Sequence, residues 1–147
     1  MNLKRLTSED YTPALRNEII GLFQQLNPNI ATIPLEAILK KDNSIILVVC
    51  EFNGTLVGMA SVATYRVISG HKGMIEDVVV DKNHRGRGIG RALMQKVVEE
   101  ALNLKVTSLL LYTGHHRIAA IALYQKLGFV LKNSGLYTLD LNSKPVV

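Results

Sequence analysis

Cysteine is nearly missing from this chain: Cys50 stands alone among 147 residues, which excludes an internal disulfide and any multi-cysteine metal site. It lies within Ile45-Ile46-Leu47-Val48-Val49-Cys50, where a thiol is expected as core filling and not as a nucleophile. Tryptophan is absent and proline occurs four times. No apolar run reaches the roughly 20 residues that a bilayer span needs, so no membrane partner is expected. The start, Met1-Asn2-Leu3-Lys4-Arg5-Leu6, shows neither a signal-peptide core nor a small-residue cleavage site, and the expected location is the cytoplasm. Repeats and low-complexity tracts are also missing, so residues 1–147 are expected to form a single domain.

What the sequence has is apolar mass and positive charge. Hydrophobic residues make up 48% of it, enough for a core that buries roughly two-thirds of the unfolded surface. Seventeen Lys and Arg against twelve Asp and Glu give a net charge of +5. Lys82, Arg85, Arg87 and Arg91 alternate with Gly86, Gly88 and Gly90, and no basic stripe continues along a helix. That pattern suits a compact anion held by backbone, and no nucleic-acid partner is expected.

Periodicity places the elements. Ile19, Leu22, Phe23 and Leu26 predict an amphipathic helix, and Pro34 with Leu35, Ile38 and Leu39 a short second one. Ile45 to Phe52 and Leu56 to Tyr65 read as strands joined at Asn53-Gly54, a pair that tolerates positive φ at both turn positions. Met74 to Val80 reads as a third strand, followed from Gly88 by a helix burying Ile89, Leu93, Val97 and Ala101 and stopping near Asn103. A strand over Ser108 to Tyr112, parallel to the third, completes a βαβ unit. Ile118 to Lys126 predicts a last helix stopped by Gly128, and Phe129 to Leu131 and Leu136 to Leu141 predict closing strands about an Asn133-Ser134-Gly135 turn. This order implies an α/β (α+β) domain with a mixed, mostly antiparallel sheet and helices on both faces.

Arg85-Gly86-Arg87-Gly88-Ile89-Gly90 follows a strand and opens a helix, where the first backbone N–H groups lack intrahelical partners and the dipole is positive. Glycines there let the backbone wrap phosphate oxygens, and Arg85, Arg87 and Arg91 can add charge-assisted bonds. A Rossmann fingerprint would need Gly where this chain has Arg91, and a P-loop would need Gly-Lys followed by Ser or Thr. A turn that merely caps an amphipathic helix is the plainer alternative.

Arg85, Gly88 and Gly90 resemble the Arg/Gln-x-x-Gly-x-Gly/Ala motif of the GNAT superfamily of acyl-CoA-dependent N-acetyltransferases, and the segment from Arg117 to Phe129, with Ala120, Leu123, Tyr124 and Gly128, is similar to that family's Ala-x-x-Leu-Tyr-x-x-x-Gly-Phe segment. The resemblance runs from about Met74 to Phe129 and is only architectural before Ile45. It implies a central pair of parallel strands that splay apart to admit acetyl-CoA as cosubstrate, with no metal. Val78, Val79 and Val80 would pair with the pantetheine arm, and Arg85, Gly86, Arg87, Gly88, Ile89, Gly90 and Arg91 would hold the pyrophosphate. Arg117, Ala120 and Tyr124 would complete the cofactor side. Ile75-Glu76-Asp77 with Val80 is also similar to a strand of glucosamine-phosphate N-acetyltransferases, but such residues recur across the superfamily and name no substrate.

Acyl transfer from a thioester to an amine requires the amine to be neutral. An ammonium of pKa about 10.4 is neutral in about one molecule in 2,500 at pH 7, a cost of about 4.6 kcal/mol. Glu76 is the candidate base, with Asp77 or an ordered water as alternatives; neighbours on a strand face opposite ways, so only one of the two acids can serve unless the strand bulges. By the same resemblance Tyr124 would serve the departing sulfur. Full proton transfer from a phenol to a thiolate is uphill by about 2 kcal/mol with ordinary pKa values, so a donated hydrogen bond is the more economical role.

His115 and His116 lack a third ligand at suitable spacing and are not read as a metal site. The expectation is an N-acetyltransferase working through a ternary complex on an amine acceptor of unspecified identity, with a homodimer as the assembly considered. Its rivals are a CoA-binding sensor module without acyl transfer, separated by turnover with an amine panel, and a basic nucleic-acid-binding domain, separated by salt-sensitive DNA affinity without CoA binding.

Overall fold

A computed structural model describes residues 1–141. The chain divides into two compact units, Met1–Gly114 and a second beginning at His115, and each is described by itself.

The first unit is built on one five-stranded sheet in the order β1-β2-β3-β4-β5. Its strands are β1 (Asn2–Arg5), β2 (Ile45–Phe52), β3 (Thr55–Val67), β4 (Gly70–Val80) and β5 (Ser108–Leu110). The first four pair antiparallel with their neighbours, and β5 runs parallel to β4. The mixed, mostly antiparallel sheet is therefore as expected. Asn53 and Gly54 take φ of 51° and 76°, the two positive values a two-residue hairpin turn needs, and Phe52 pairs with Thr55 across them.

Directly paired residues share a sheet face. Leu47, Val49, Met59 and Val79 form one such face, buried with Ile19 and Leu22 of α1 (Pro13–Leu26), Leu35 of α2 (Leu35–Ile38) and Leu39. Helix α1 starts cleanly because Thr12 Oγ1 accepts from Leu15 N at 3.0 Å and Pro13 occupies the first position, where its fixed φ is already helical. On the other face lies α3 (Ile89–Asn103), burying the expected Ile89, Leu93, Val97 and Ala101 together with Met94. Gly58 is what lets it approach: a Cβ there would stand 2.9 Å from Leu93 Cδ1 and 3.1 Å from the Val79 carbonyl oxygen. Buried Glu100 of α3 is balanced by Arg5 at 3.3 Å and Lys96 at 3.0 Å, the pairing a desolvated carboxylate requires.

Four features depart from the sequence reading. Strand β1 carries no alternation strong enough to announce it; it exists because β2 offers it an edge. Strand β4 begins at Gly70, earlier than Met74, since β3 supplies partners back to Val67. The parallel strand ends at Leu110 and not Tyr112, because its ladder with β4 spans only Lys72–Met74 against Ser108–Leu110. Phe129 to Leu131 and Leu136 to Leu141 form no strands. Their apolar side chains are mostly exposed, and a strand needs a ladder partner whatever its propensity. With no strand after β5 among the described residues, the parallel pair stands at the end of the sheet.

The second unit contains α4 (Ile118–Lys126), with the bounds the sequence predicts, and Gly128 at φ +90° ends it as a left-handed stop. None of the described helices is long and apolar enough to cross a membrane.

Candidate active site

Strand β4 holds the centre of the candidate site because its ladder to β3 slips. Glu76 pairs with Ser61 and Val79 with Met59, so Asp77 and Val78 together oppose Ala60. This is a β-bulge, and Asp77 takes a φ of +52° to make it. Strict alternation along the strand is thereby broken between Glu76 and Val79. The bulge puts Glu76 and Val79 on one face, the face of α1 and α2, and the Ser61 hydroxyl donates to the Glu76 carbonyl at 3.2 Å, fixing the strand just before the slip.

Among the described strands, none pairs with the β5 side of β4 beyond Met74, which leaves that edge open. Its last parallel pair is Met74 with Leu110, and from Ile75 to Val80 it has no β5 partner. The parallel strand pair that the resemblance implies is present as this short ladder, at the end of the sheet and not at its centre. Val79 is buried in the core while Val78 and Val80 are half-buried, so the run serves packing with one side chain and leaves main chain at an edge. The Val80 carbonyl already accepts from Arg85 Nε at 3.1 Å.

The glycine turn follows. Gly86 and Gly88 take φ of +77° and +78°, and a Cβ built at either would meet nothing within 4 Å. These are left-handed positions beside open space, which suits the close approach of a ligand to the backbone. Gly88 caps α3 without a side-chain bond, and Ala92 N is the first amide to find a helical acceptor, Gly88 O at 3.0 Å. The N–H groups of Ile89, Gly90 and Arg91 thus lack intrahelical partners. Arg85, Arg87 and Arg91 are all exposed. They are not equally free: Arg85 turns back onto Val80, and the Arg87 guanidinium lies 5.7 Å over the Phe52 ring. Unpartnered amides, left-handed glycines and cations together give this turn the chemistry of an anion site.

The carboxyl groups of the bulge are perturbed. Burial pushes the Glu76 carboxyl above its ordinary value and the Asp77 charge adds to this, while the Tyr112 phenol pulls it back down. Burial also raises the Asp77 carboxyl, although that side chain remains exposed to solvent. Among the described residues neither acid forms an ion pair. Tyr112 is the residue sequence reasoning missed. The parallel register offers the signal: Lys72 opposes Ser108, an offset of 36 (108 − 72), and the same offset carries Glu76 to Tyr112.

In the second unit, Tyr124 on α4 is buried, with its ring edge-on to Phe129 at 6.1 Å. Burial raises its phenol pKa, and the Arg117 charge opposes the shift; the group is a hydrogen-bond donor throughout the neutral range. Arg117 stands at the N-cap of α4, and its carbonyl accepts from Ala120 N at 3.0 Å. His115 and His116 are exposed, and His84 is engaged by Asp81 at 2.8 Å.

The acetyltransferase (GNAT) family model matches residues 6–129 of this chain. The chain belongs to that family. GNAT relatives of known sequence include the IAA acetyltransferase of Azospirillum brasilense, 34% identical over 82% of this chain and 67% of that protein, and the L-amino acid N-acyltransferase MnaT of Escherichia coli, 31% identical over 58% of this chain and 50% of that protein. Against several curated relatives the chain spans about half of their length or less. Among solved structures, an acetyltransferase of Trypanosoma brucei is 26% identical with a TM-score of 0.75, covering 95% of this chain and 99% of that one.

Proposed function

We propose that this chain is an N-acetyltransferase that moves an acetyl group from acetyl-CoA to a primary amine of a small molecule or protein by direct attack in a ternary complex. The observation that carries the reading is strand β4 itself: its open edge leads directly into the Gly86–Gly88 cradle, and its bulge presents a carboxyl group with a raised pKa. The family match across residues 6–129 spans both compact units, which supports reading 1–147 as one acetyltransferase domain.

Acetyl-CoA, when bound, supplies an activated acyl group as a thioester. The backbone of Val78, Val79 and Val80 lines it as an added strand would. The free N–H groups of Ile89, Gly90 and Arg91, with Arg85, Arg87, Gly86 and Gly88, hold its diphosphate, and Arg117 and Ala120 contribute from α4. A Glu76 carboxylate oxygen takes the proton from the attacking amine, directly or through water; its raised pKa brings it nearer to the pH at which a base works best. Asp77 is the second candidate, weaker because water still reaches its charged form. The Tyr124 hydroxyl donates a hydrogen bond to the departing sulfur, stabilising charge that appears only as the C–S bond breaks.

Cys50 is fully buried and its thiol is pushed up by that burial, so it stays protonated and is a poor nucleophile. A covalent acyl-enzyme on this cysteine is not part of the route. The test is acetyl-CoA turnover against a panel of amino acids, diamines, amino sugars and peptide N-termini. Amine-dependent formation of acetylated product supports the reading, whereas tight CoA binding with no product from any amine would make the chain a sensor module.

A further inference from the structure

We propose that Tyr112 is a positioning residue for the Glu76 carboxylate, holding it at the mouth of the gap where β4 and β5 part. Two observations meet here. The β4–β5 ladder closes at Met74 and Leu110, and the next residues in that register that share their face are Glu76 and Tyr112. They are the first pair on that face beyond the last ladder pair, so side chains take over where the ladder stops. That register sets Tyr112 beside Glu76, whose carboxyl pKa the phenol draws down, and Asp77 is the other titratable group bearing on it within this unit. Tyr112 is exposed, so packing does not explain its presence.

The two groups act on each other in complementary directions. The Glu76 charge, then burial, then the shared hydrogen bond hold the Tyr112 phenol above its ordinary value, so it remains a donor through neutral pH. Donation to the charged form of Glu76 opposes the upward push from burial and from Asp77, keeping the carboxylate ionised and oriented to accept a proton. Tyr112 need not touch the acceptor or the thioester to do this.

The inference rests on Glu76 acting as the base, and the experiment separates the two. The protein is labelled with 13C at glutamate side-chain carboxyl carbons, and Glu76 is assigned by comparison with Glu76→Gln. In Tyr112→Phe without any cosubstrate, the Glu76 resonance should titrate higher by about half to one pH unit. In turnover assays the acid limb of kcat/KM should move up by the same interval, the rate at neutral pH should fall roughly 10-fold through lost orientation, and CoA affinity should be unchanged. The Tyr112→Phe change should have no further effect in Glu76→Gln. If Glu76→Gln turns over normally, the base assignment fails. If Glu76→Gln is impaired but Tyr112→Phe leaves the Glu76 titration and the pH profile unmoved, Tyr112 has no such role.

Discussion

Gln25 holds Asp81: its amide Nε2 donates to Asp81 Oδ2 at 2.9 Å, while its Oε1 accepts from Lys82 N at 3.0 Å. The last turn of α1 is thereby bonded to the two residues that open the path into the glycine turn. One side chain fixes that path with two bonds, each worth about 1 kcal/mol. Gln25→Ala should lower melting temperature only slightly and weaken CoA binding about 10-fold, because the cradle loses its anchor and must be ordered by the ligand. Calorimetry on the folded variant checks this; an unchanged dissociation constant would mean the turn holds its shape without α1.

The same carboxylate sets a pH response. The His84 ring bond at 2.8 Å, then Gln25 and the Asn83 amide, hold the Asp81 carboxyl at about 2, below its ordinary 3.8. A carboxyl whose folded pKa is depressed contributes stability that is complete above the unfolded value and disappears as pH falls through the folded one. Wild type should therefore lose more stability than Asp81→Asn between about pH 4 and pH 2. Urea unfolding at a series of pH values measures it, and parallel curves would show that Asp81 is as well solvated in the unfolded chain.

Much of this was legible in the sequence where one local rule decides the outcome. The four-residue stripe from Ile89 to Ala101 names α3, Asn53-Gly54 names the hairpin, and Gly128 stops α4. What escaped depends on partners distant in the chain. The bulge at Asp77 arises from how many residues β3 sets against β4; nothing in Ile75-Glu76-Asp77-Val78 announces a positive φ. Tyr112 acquires meaning only once the register of β4 against β5 is known. Arg85 was legible as an anion ligand by its type, yet its bond to the Val80 carbonyl depends on the backbone path between them. The segments 129–131 and 136–141 have strand composition and no strand, which shows propensity without a partner to satisfy it.

Two glycines of the first unit should respond differently to substitution. At Gly88 a new Cβ enters open space but at φ +78°, so Gly88→Val costs on the order of 1–2 kcal/mol of backbone strain and places bulk where the diphosphate is proposed to lie. Gly58→Ala instead drives a Cβ against Leu93 and the Val79 carbonyl, and should cost 1–3 kcal/mol of packing, an approximate range for overfilled cores. Thermal melts with and without CoA distinguish them. Gly88→Val should lose most of the ligand-induced shift, and Gly58→Ala should start lower but keep it. Equal shifts in both would remove the turn from the binding site.

Tyr124→Phe keeps the ring and its edge contact with Phe129 and removes only the hydroxyl. If that hydroxyl serves the departing sulfur, kcat should fall by roughly 10- to 1,000-fold with little change in the Michaelis constant for acetyl-CoA, as for any group acting only on transition-state charge. Steady-state kinetics with any productive amine decides it, and a wild-type kcat would make Tyr124 a packing residue.

The most direct test of the account is the rate of amine-dependent acetyl transfer from acetyl-CoA by wild type, Glu76→Gln and Asp77→Asn across pH, with CoA binding measured alongside. Glu76→Gln keeps the side-chain shape and removes basicity. The predicted result is acetylated amine from wild type, a fall of about 100-fold at neutral pH in Glu76→Gln together with loss of its acid limb, near-normal turnover in Asp77→Asn, and retained CoA affinity in all three. Parallel pH profiles for wild type and Glu76→Gln, with little loss of rate, would contradict the assignment of Glu76. No acetylated amine from wild type that binds CoA would contradict the enzyme itself.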